Sequence, residues 1–381
     1  MRVLQFGRFH NEQQNGGVER HQQLLCKGLA ANGLDVVYLV ASADRQPHDE
    51  TVDGYRLIQA PSFGTLFSTA LSPAQVFKAL ALHKEKPFDV LHLHFPNPLA
   101  HLASMLFPAN VKRVITWHSD IVKQKRLLAL YRPFLQNVTR RADALIAATS
   151  AHYSSSTQIP KDIPYDKLRV IPFGLDFSSL VLTPHSDAVR STLLSRANGQ
   201  AIIFALGRHV YYKGFDVLID AMQHIDAQLI LGGDGPLKGQ LQNQVDHLGL
   251  KNKISFTGSI EEDDLPAYFH ACDVFCLPSV EQSEAFGLVQ LEAMACGKPV
   301  ICTLLNNGVN VLNVHGETGF AVPVRDSLAL AARINQVLND SELRLKLGEQ
   351  ARTRALQVYS LEANTQQHIQ LYQELMQAKM V

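Results

Sequence analysis

What most limits the architectures open to this chain is the repeated alternation of short β-rich runs with longer stretches of helical periodicity. In the first half the strand candidates are Val3–Phe6, Val36–Val40, Val90–His94, Val114–Trp117 and Leu145–Ala148. In the second half they are Ile202–Leu206, Gln228–Leu231, Ile254–Thr257, Val274–Leu277 and Val300–Cys302. A strand followed by a helix, again and again, predicts parallel sheets with helices on both faces. With 381 residues the chain is long for one domain and comfortable for two, and its apolar content suffices for full cores. The pattern therefore predicts an α/β chain of two doubly wound domains. They join near residues 176–199, where Leu182-Thr-Pro-His-Ser-Asp and Arg196-Ala-Asn-Gly-Gln are loop-like and bracket one short helix. Beyond the last strand candidate, three helical stretches run from about Ser327 to Lys379.

Charge and composition exclude several functions. The formal net charge is zero, so no basic excess points to nucleic acid. The run Met1-Arg-Val-Leu-Gln-Phe-Gly is too short for a signal peptide, and no segment is apolar for long enough to span a bilayer. A cytosolic protein, soluble or peripherally attached, is expected. Its cysteines, Cys26, Cys272, Cys276, Cys296 and Cys302, are odd in number and sit mostly in apolar runs, which favours buried thiols over a disulfide framework. Cys272 and Cys276 lack the second pair that a zinc site requires.

Ligands of such sheets bind beyond the carboxyl ends of the strands, and several unusual residues fall there. The segment Glu281-Gln-Ser-Glu284-Ala-Phe-Gly287-Leu-Val-Gln-Leu-Glu292-Ala-Met-Ala-Cys-Gly297-Lys-Pro299 carries two acidic residues eight apart. Phe286, Leu288, Leu291 and Ala295 recur at helical spacing and Gly297 stops the helix. Glu284 is thus expected just before the helix and Glu292 about two turns in, near free N–H groups suited to phosphate. Carboxylates accept hydrogen bonds from sugar hydroxyls, so the segment reads as a site for a nucleotide-linked sugar. An amphipathic helix with Glu292 in solvent is the plainer reading. The run Gly207-Arg208-His-Val-Tyr-Tyr-Lys213-Gly214-Phe-Asp216 follows a strand, and its two cations could neutralise a diphosphate. Gly232-Gly-Asp-Gly-Pro236 and Gly258-Ser-Ile260 also end strands, where backbone groups could read a base. Asp234 is better explained as a turn residue, and Glu261-Glu-Asp-Asp264 as a solvated helix start.

In the first half, Gly16-Gly17-Val18-Glu19-Arg20 opens a helix after the first strand. It has neither dinucleotide nor P-loop spacing, and taken alone it reads as a tight turn without a ligand, an anion site being the lesser reading. Val90-Leu-His92-Leu-His94 places both imidazoles on one strand face. Thr116-Trp117-His118-Ser119-Asp120 ends the next strand, and His118 is the best polar candidate there, for hydrogen bonding in preference to metal binding. Basic Lys112, Arg113, Lys123, Lys125, Arg126, Arg132, Arg140 and Arg141 are interleaved with Leu127, Leu128, Leu130, Tyr131, Phe134 and Leu135. This amphipathic segment could meet an anionic membrane, receive a phosphate-bearing acceptor, or be a solvated helix with a core-facing stripe.

Together these motifs resemble the retaining glycosyltransferases of family four, whose GT-B fold is two Rossmann-like doubly wound domains facing across a cleft. The family's Glu-x7-Glu is matched by Glu284 and Glu292, its Gly-Arg…Lys-Gly by Gly207-Arg208 and Lys213-Gly214, and its amino-terminal Gly-Gly by Gly16-Gly17. The resemblance implies an acceptor-side domain over 1–180, a nucleotide-sugar domain over 181–358, and a helix over 359–381 that packs back on the first. It further implies that Glu284 holds hydroxyls of the transferred sugar, Glu292 the ribose, and Arg208 and Lys213 the diphosphate with Gly17. Phe286, Gly287 and Leu288 offer backbone groups, and His118 contacts the sugar. Trp117-His118-Ser119-Asp120 before a basic helix is similar to bacterial mannosyltransferase-like members of surface polysaccharide assembly. The loop Thr303-Leu-Leu-Asn306-Asn307-Gly308 departs from the Gly-rich turn of many relatives.

The expected reaction moves a hexose, mannose-like, from a GDP- or UDP-sugar to a glycan or lipid-linked acceptor with retention, without metal or other cofactor, as in O-antigen or capsule synthesis. A nucleotide-sugar epimerase of the same architecture, or a non-catalytic nucleotide-sugar-binding protein, are the alternatives.

Overall fold

The computed structural model describes residues 1–9, 17–66, 69–121, 125–284 and 286–378. The chain forms two compact units. One comprises Met1–Leu175 together with Ser360–Val381, the other Asp176–Tyr359.

In the first unit the strands are β1 (Arg2–Phe9), β2 (Asp35–Ala41), β3 (His48–Val52), β4 (Tyr55–Ala60), the short pair β5 (Thr65–Leu66) and β6 (Thr69–Ala70), β7 (Val90–Phe95), β8 (Lys112–Trp117), β9 (Ala144–Ala147) and β10 (Leu168–Val170). Between them lie α1 (Gly17–Ala31), α2 (Pro73–Glu85), α3 (Pro98–Leu106), α4 (Lys125–Arg141) and α5 (Ser150–Ser155). The main sheet has the order β10-β9-β8-β7-β1-β2-β4-β3. It is parallel except at its edge, where β3 runs against β4. Strand order reverses between β1 and β7, which pair Val3 with Val90 and Phe6 with Leu93. That switch point is where the loops after two neighbouring strands diverge and leave a crevice. Helix starts follow local chemistry: Asn97 accepts a hydrogen bond from Ala100 N at 3.2 Å, and Pro98, which needs no N–H partner, opens α3.

The second unit contains α6 (Pro184–Ala197), β11 (Ile202–Leu206), α7 (Phe215–Ala221), β12 (Gln228–Gly232), α8 (Lys238–His247), β13 (Ile254–Gly258), α9 (Leu265–Ala271), β14 (Val274–Leu277), α10 (Val289–Ala295), β15 (Val300–Thr303), α11 (Gly308–Leu312), β16 (Gly319–Val322), α12 (Ser327–Asn339) and α13 (Ser341–Val358). Its sheet, β13-β12-β11-β14-β15-β16, is parallel throughout, with the reversal between β11 and β14. Each of the ten strands expected from the sequence is present, nine within a residue or two of the expected bounds and β1 running three residues further, to Phe9. The strands β3 to β6, β10 and β16 are additional to that expectation.

The last helix, α14 (Leu361–Gln377), belongs to the first unit and packs along α1. Ser360 caps it, accepting from Ala363 N at 3.1 Å. Its Leu371 and Tyr372 join Val3, Leu25, Leu29, Tyr38 and Val90 in one apolar core, while the opposite sheet face packs against α2, α3 and α4 through Leu4, Leu91, Ala100 and Leu135. The second unit buries Ile203, Leu218, Leu229, Val274, Ile301 and Ile334 in its own core. Burying such side chains supplies about 1.5–3 kcal/mol each before the entropy of ordering the chain is charged against it. None of the described helices is long and apolar enough to cross a membrane.

At α10 the structure departs from expectation. The helix predicted to start near Phe286 begins only at Val289 and has seven residues. Gly287 adopts φ +58°, and a Cβ there would run into the Leu277 side chain, so the chain turns sharply before it can wind. Glu292 consequently lies in the first turn of α10, not two turns in.

Candidate functional site

At the switch point of the second unit, the loop after β11 and the loop after β14 are stitched together. Gly214 has φ +66°, and a Cβ on it would collide with the Pro278 carbonyl, so only glycine lets the two loops approach this closely. Val280 N donates to Tyr212 O at 2.8 Å across the same seam. This approach brings Lys213 to Glu284: Lys213 Nζ lies 2.6 Å from Glu284 Oε2, with both residues over nine-tenths buried. Ser279 Oγ donates to the same carboxylate oxygen at 2.9 Å. A carboxylate removed from water in this way is held by its counter-charge and its hydrogen bonds.

The remaining predicted residues of this unit lie on the segments that follow β11, β13 and β14. Lys213 passes over Gly207, whose Cβ position would be 3.2 Å from Nζ. Gly233 N donates to Gly258 O at 2.7 Å, and a Cβ on Gly233 would strike the Gly207 carbonyl, so the ends of β11, β12 and β13 meet. Ile260 lies against this end, its Cδ1 being 2.9 Å from where a Cβ on Gly232 would stand. Arg208 occupies the same loop; its side chain is exposed and makes no hydrogen bond or ion pair with any described residue. Phe286 is half-buried and its carbonyl accepts from Gln290 Nε2 at 2.9 Å, Gly287 is buried, and Leu288 is exposed. Glu292 is half-buried.

Two residues that matter here were not among the sequence candidates for the site. Ser279 is one. The other is Asn307, in the loop that departs from the family pattern: its side chain donates to the Glu284 carbonyl at 2.7 Å and accepts from Val309 N at 3.0 Å, capping α11. Asn-Gly at a helix start is a capping signal, but nothing local to it points to Glu284. Asp234 behaves as a turn residue, accepting from Gly235 N at 2.7 Å and pairing with Lys238 at 2.6 Å, and its carboxyl is held below the usual range first by the Lys238 hydrogen bond. The acidic run at residues 261–264 is largely exposed and precedes α9.

The polar groups at the switch point of the first unit are of another kind. His92 and His94 point to one face of β7 and stack at 4.5 Å. His92 bonds to Tyr372 Oη at 2.6 Å and Thr116 Oγ1 at 2.7 Å. His94 bonds to Gln5 at 2.8 Å and to His118, just past β8, at 3.0 Å. His21 of α1 and His368 of α14 complete the group, with the His21 ring 5.7 Å from that of His118. Burial is the main reason these imidazoles stay neutral: His118 is pushed down to about 3, with further contributions from Arg8 and His152, and His368 to about 4. His21, His92 and His94 are lowered well below their ordinary value, again first by burial. Among the described residues, no three His, Cys, Asp or Glu side chains are arranged to hold a metal ion. Arg8, at the end of β1 and 2.6 Å from Glu19, is a further charged group here, and its sequence context does not mark it.

Gly17 opens α1, whereas Gly16 and Lys123, with the side chains of Lys125, Arg126 and Leu127, lie outside the described residues. Arg132 is exposed and donates to Thr157 O at 3.0 Å. Leu128, Tyr131, Phe134 and Leu135 of α4 pack into the core, so the helix's apolar stripe faces inward, while Leu130, 82% exposed, stands out in solvent. All five cysteines are free, and burial raises the Cys296 thiol to about 12.

Comparison with known proteins extends this geometry. The model described as Glycosyl transferases group 1 matches residues 194–354, and that described as Glycosyltransferase Family 4 matches residues 15–179. The chain is 29% identical to O-antigen chain mannosyltransferase C of Escherichia coli over 381 residues, 100% of each chain. It is 32% identical to D-rhamnosyltransferase WbpZ of Pseudomonas aeruginosa over 362 residues, 94% of this chain and 92% of that one. Among solved structures, Anabaena HepE in complex with UDP matches with a TM-score of 0.70 at 23% identity, covering 98% of this chain and 100% of that one. With both switch points built as described and relatives at this identity along nearly all of the chain, the protein belongs to the group 1 glycosyltransferases of family four and has the GT-B fold.

Proposed function

We propose that this glycosyltransferase moves a hexose, mannose or a close analogue, from a GDP- or UDP-sugar to a glycan or lipid-linked acceptor of cell-surface polysaccharide, with retention and without a metal ion. The observation that carries the reading is the contact of Lys213 with Glu284, which unites the two halves of the site motif at one switch point. In this reading Lys213 and Arg208 take the negative charge that grows on a departing diphosphate, and one such preorganised contact is worth about 3–4 kcal/mol in the transition state. Glu284, held by Ser279 and Asn307, serves the sugar hydroxyls; Glu292 serves the ribose; backbone groups of Phe286, Gly287 and Leu288 serve the sugar, and Gly207, Gly258 and Ile260 line the nucleotide. Gly16 and Gly17 are assigned to the diphosphate and His118 to the carbohydrate. With no side chain assigned as nucleophile, the acceptor attacks the face from which the diphosphate leaves, and a phosphate oxygen takes its proton. The names of the relatives, an O-antigen mannosyltransferase and a rhamnosyltransferase, support the sugar class and the setting. Exposed Leu130, with the basic residues Lys123, Lys125, Arg126 and Arg132 near it in sequence, is the segment assigned to an anionic membrane at its cytoplasmic face, or to the acceptor's phosphate.

The test is turnover with GDP-mannose and UDP-glucose, with and without glycan acceptor, in chelator. Acceptor-dependent release of nucleoside diphosphate and an α-linked product from an α-linked donor are expected. An inverted product, strict metal dependence, or an Arg208→Ala enzyme with unchanged turnover at saturating donor would each remove the corresponding part. Interconversion of the donor without acceptor would mark an epimerase instead, and donor binding without turnover a binding protein.

A further inference from the structure

Four buried side chains of the first unit form one line of hydrogen bonds from α14 across β1 and β7 to the end of β8. Gln5 Nε2 donates to Tyr372 Oη at 3.3 Å and faces His92 Nδ1 at 3.1 Å. Gln5 Oε1 meets His94 Nε2 at 2.8 Å, and His94 Nδ1 meets His118 Nε2 at 3.0 Å. A neutral imidazole has one N–H and one bare nitrogen, and an amide oxygen only accepts. With the Gln5 amide in this orientation, His94 carries its proton on Nε2 and accepts at Nδ1. His118 must then donate from Nε2, which leaves its Nδ1 bare. That nitrogen is buried and has no hydrogen-bond partner among the described residues.

We propose that Gln5 and His94 are positioning residues that lock His118 in the Nε2–H tautomer, so that its Nδ1 accepts a hydrogen bond from a hydroxyl of the carbohydrate substrate. This rests on the reading of His118 as a substrate contact. The lock has a consequence for ligand chemistry: a bare nitrogen takes an alcohol, which has a proton to give, and rejects a phosphate or carbonyl oxygen, which has none. Burial keeps all three imidazoles neutral at working pH, so His118 orients the hydroxyl and does not remove its proton. Tyr372 anchors the far end of the line on α14.

The experiment is nitrogen NMR of the full chain labelled at histidine, with the His118 signals identified by their loss in His118→Gln. The native protein is expected to show His118 protonated on Nε2 and bare at Nδ1. Adding GDP-mannose or UDP-glucose alone should shift the Nδ1 resonance if the hydroxyl belongs to the donor sugar; a shift only when glycan acceptor is added assigns it to the acceptor. Either shift supports the proposal, and no shift with both present overturns it. His94→Leu should mix the tautomers and lower kcat about tenfold, the worth of one hydrogen bond, with donor KM unchanged. His94→Asn, whose Oδ1 can stand where Nδ1 was, should restore most of the rate. A native His118 carrying its proton on Nδ1, as the opposite orientation of the Gln5 amide would dictate, overturns the positioning scheme and leaves the substrate contact standing. A His118→Ala enzyme with wild-type turnover overturns the substrate contact while the tautomer remains as measured.

Discussion

At the switch point of the first unit, beside the partly exposed Arg8–Glu19 pair, the deeply buried groups on neighbouring strands and α14 are uncharged and bond to one another: an amide, a phenol, two hydrogen-bonded histidines on β7 and His118 beyond β8. At the same topological position in the second unit stands a charged pair, Lys213 and Glu284, gripped by Ser279. The difference reflects what each arrangement can meet. A neutral network needs matched donors and acceptors but no counter-charge, and it can offer a free lone pair to a hydroxyl. A buried ion pair is held against a large desolvation cost, and removing either partner leaves the other charge uncompensated.

The largest expected effect breaks the second arrangement. Lys213→Ala should cost about 3–5 kcal/mol of stability by leaving Glu284 buried without its counter-charge, and about two to three orders of magnitude in turnover. The double variant Lys213→Met with Glu284→Leu should regain most of that stability in denaturant unfolding while remaining inactive. If the single variant unfolds like the wild type, the charge contrast between the units is wrong.

Next comes acid. The buried histidines of the first unit have folded-state pKa values below the ordinary value of about 6.5, so in acid the unfolded chain binds more protons than the folded one. Their contribution is complete above pH about 6.5 and is lost progressively as pH falls towards the values of about 4 for His368 and about 3 for His118. In the second unit His209 and His270 are lowered the same way, but they are fewer. Hydrogen exchange by mass spectrometry, corrected for intrinsic rates, should show peptides of β1, β7 and α14 opening before those of β11 and β14; the reverse order contradicts the contrast.

Smaller is Tyr372→Phe, which removes the 2.6 Å bond to His92 and should cost about 1 kcal/mol, with exchange of α14 amides rising more than that of α13. Smallest is Leu130→Gln on the exposed side of α4, expected to shift stability by at most about 0.5 kcal/mol. Retained binding to anionic vesicles by that variant would argue against a role of Leu130 at a membrane surface.

Much of the fold is legible in the order of the residues. The ten expected strands rest on β-rich runs with clear breaks, and two parallel sheets follow from their spacing. The edge hairpin of β3 and β4 is absent from that expectation although its signal is present: Asp53-Gly54 places φ +47° and +84° at the turn, the left-handed pair that a two-residue hairpin requires. The start of α10 differs from expectation because periodicity records which residues could be helical, while Gly287 and the Leu277 side chain decide where winding can begin. For the basic helix α4, composition allows membrane, acceptor and solvent alike, and only the packing of Leu128, Tyr131, Phe134 and Leu135 shows that its apolar stripe is spent on the core.

By itself, then, the sequence determined the alternating architecture and the residue types of the site motifs, because hydrophobic period and local turn chemistry act over a few residues. The partners of those residues were left to the tertiary structure: Ser279 and Asn307 at Glu284, Tyr372 at His92, Gln5 between His94 and α14. A hydrogen bond between strands or loops far apart in the chain depends on sheet order and register, which no short window of sequence contains.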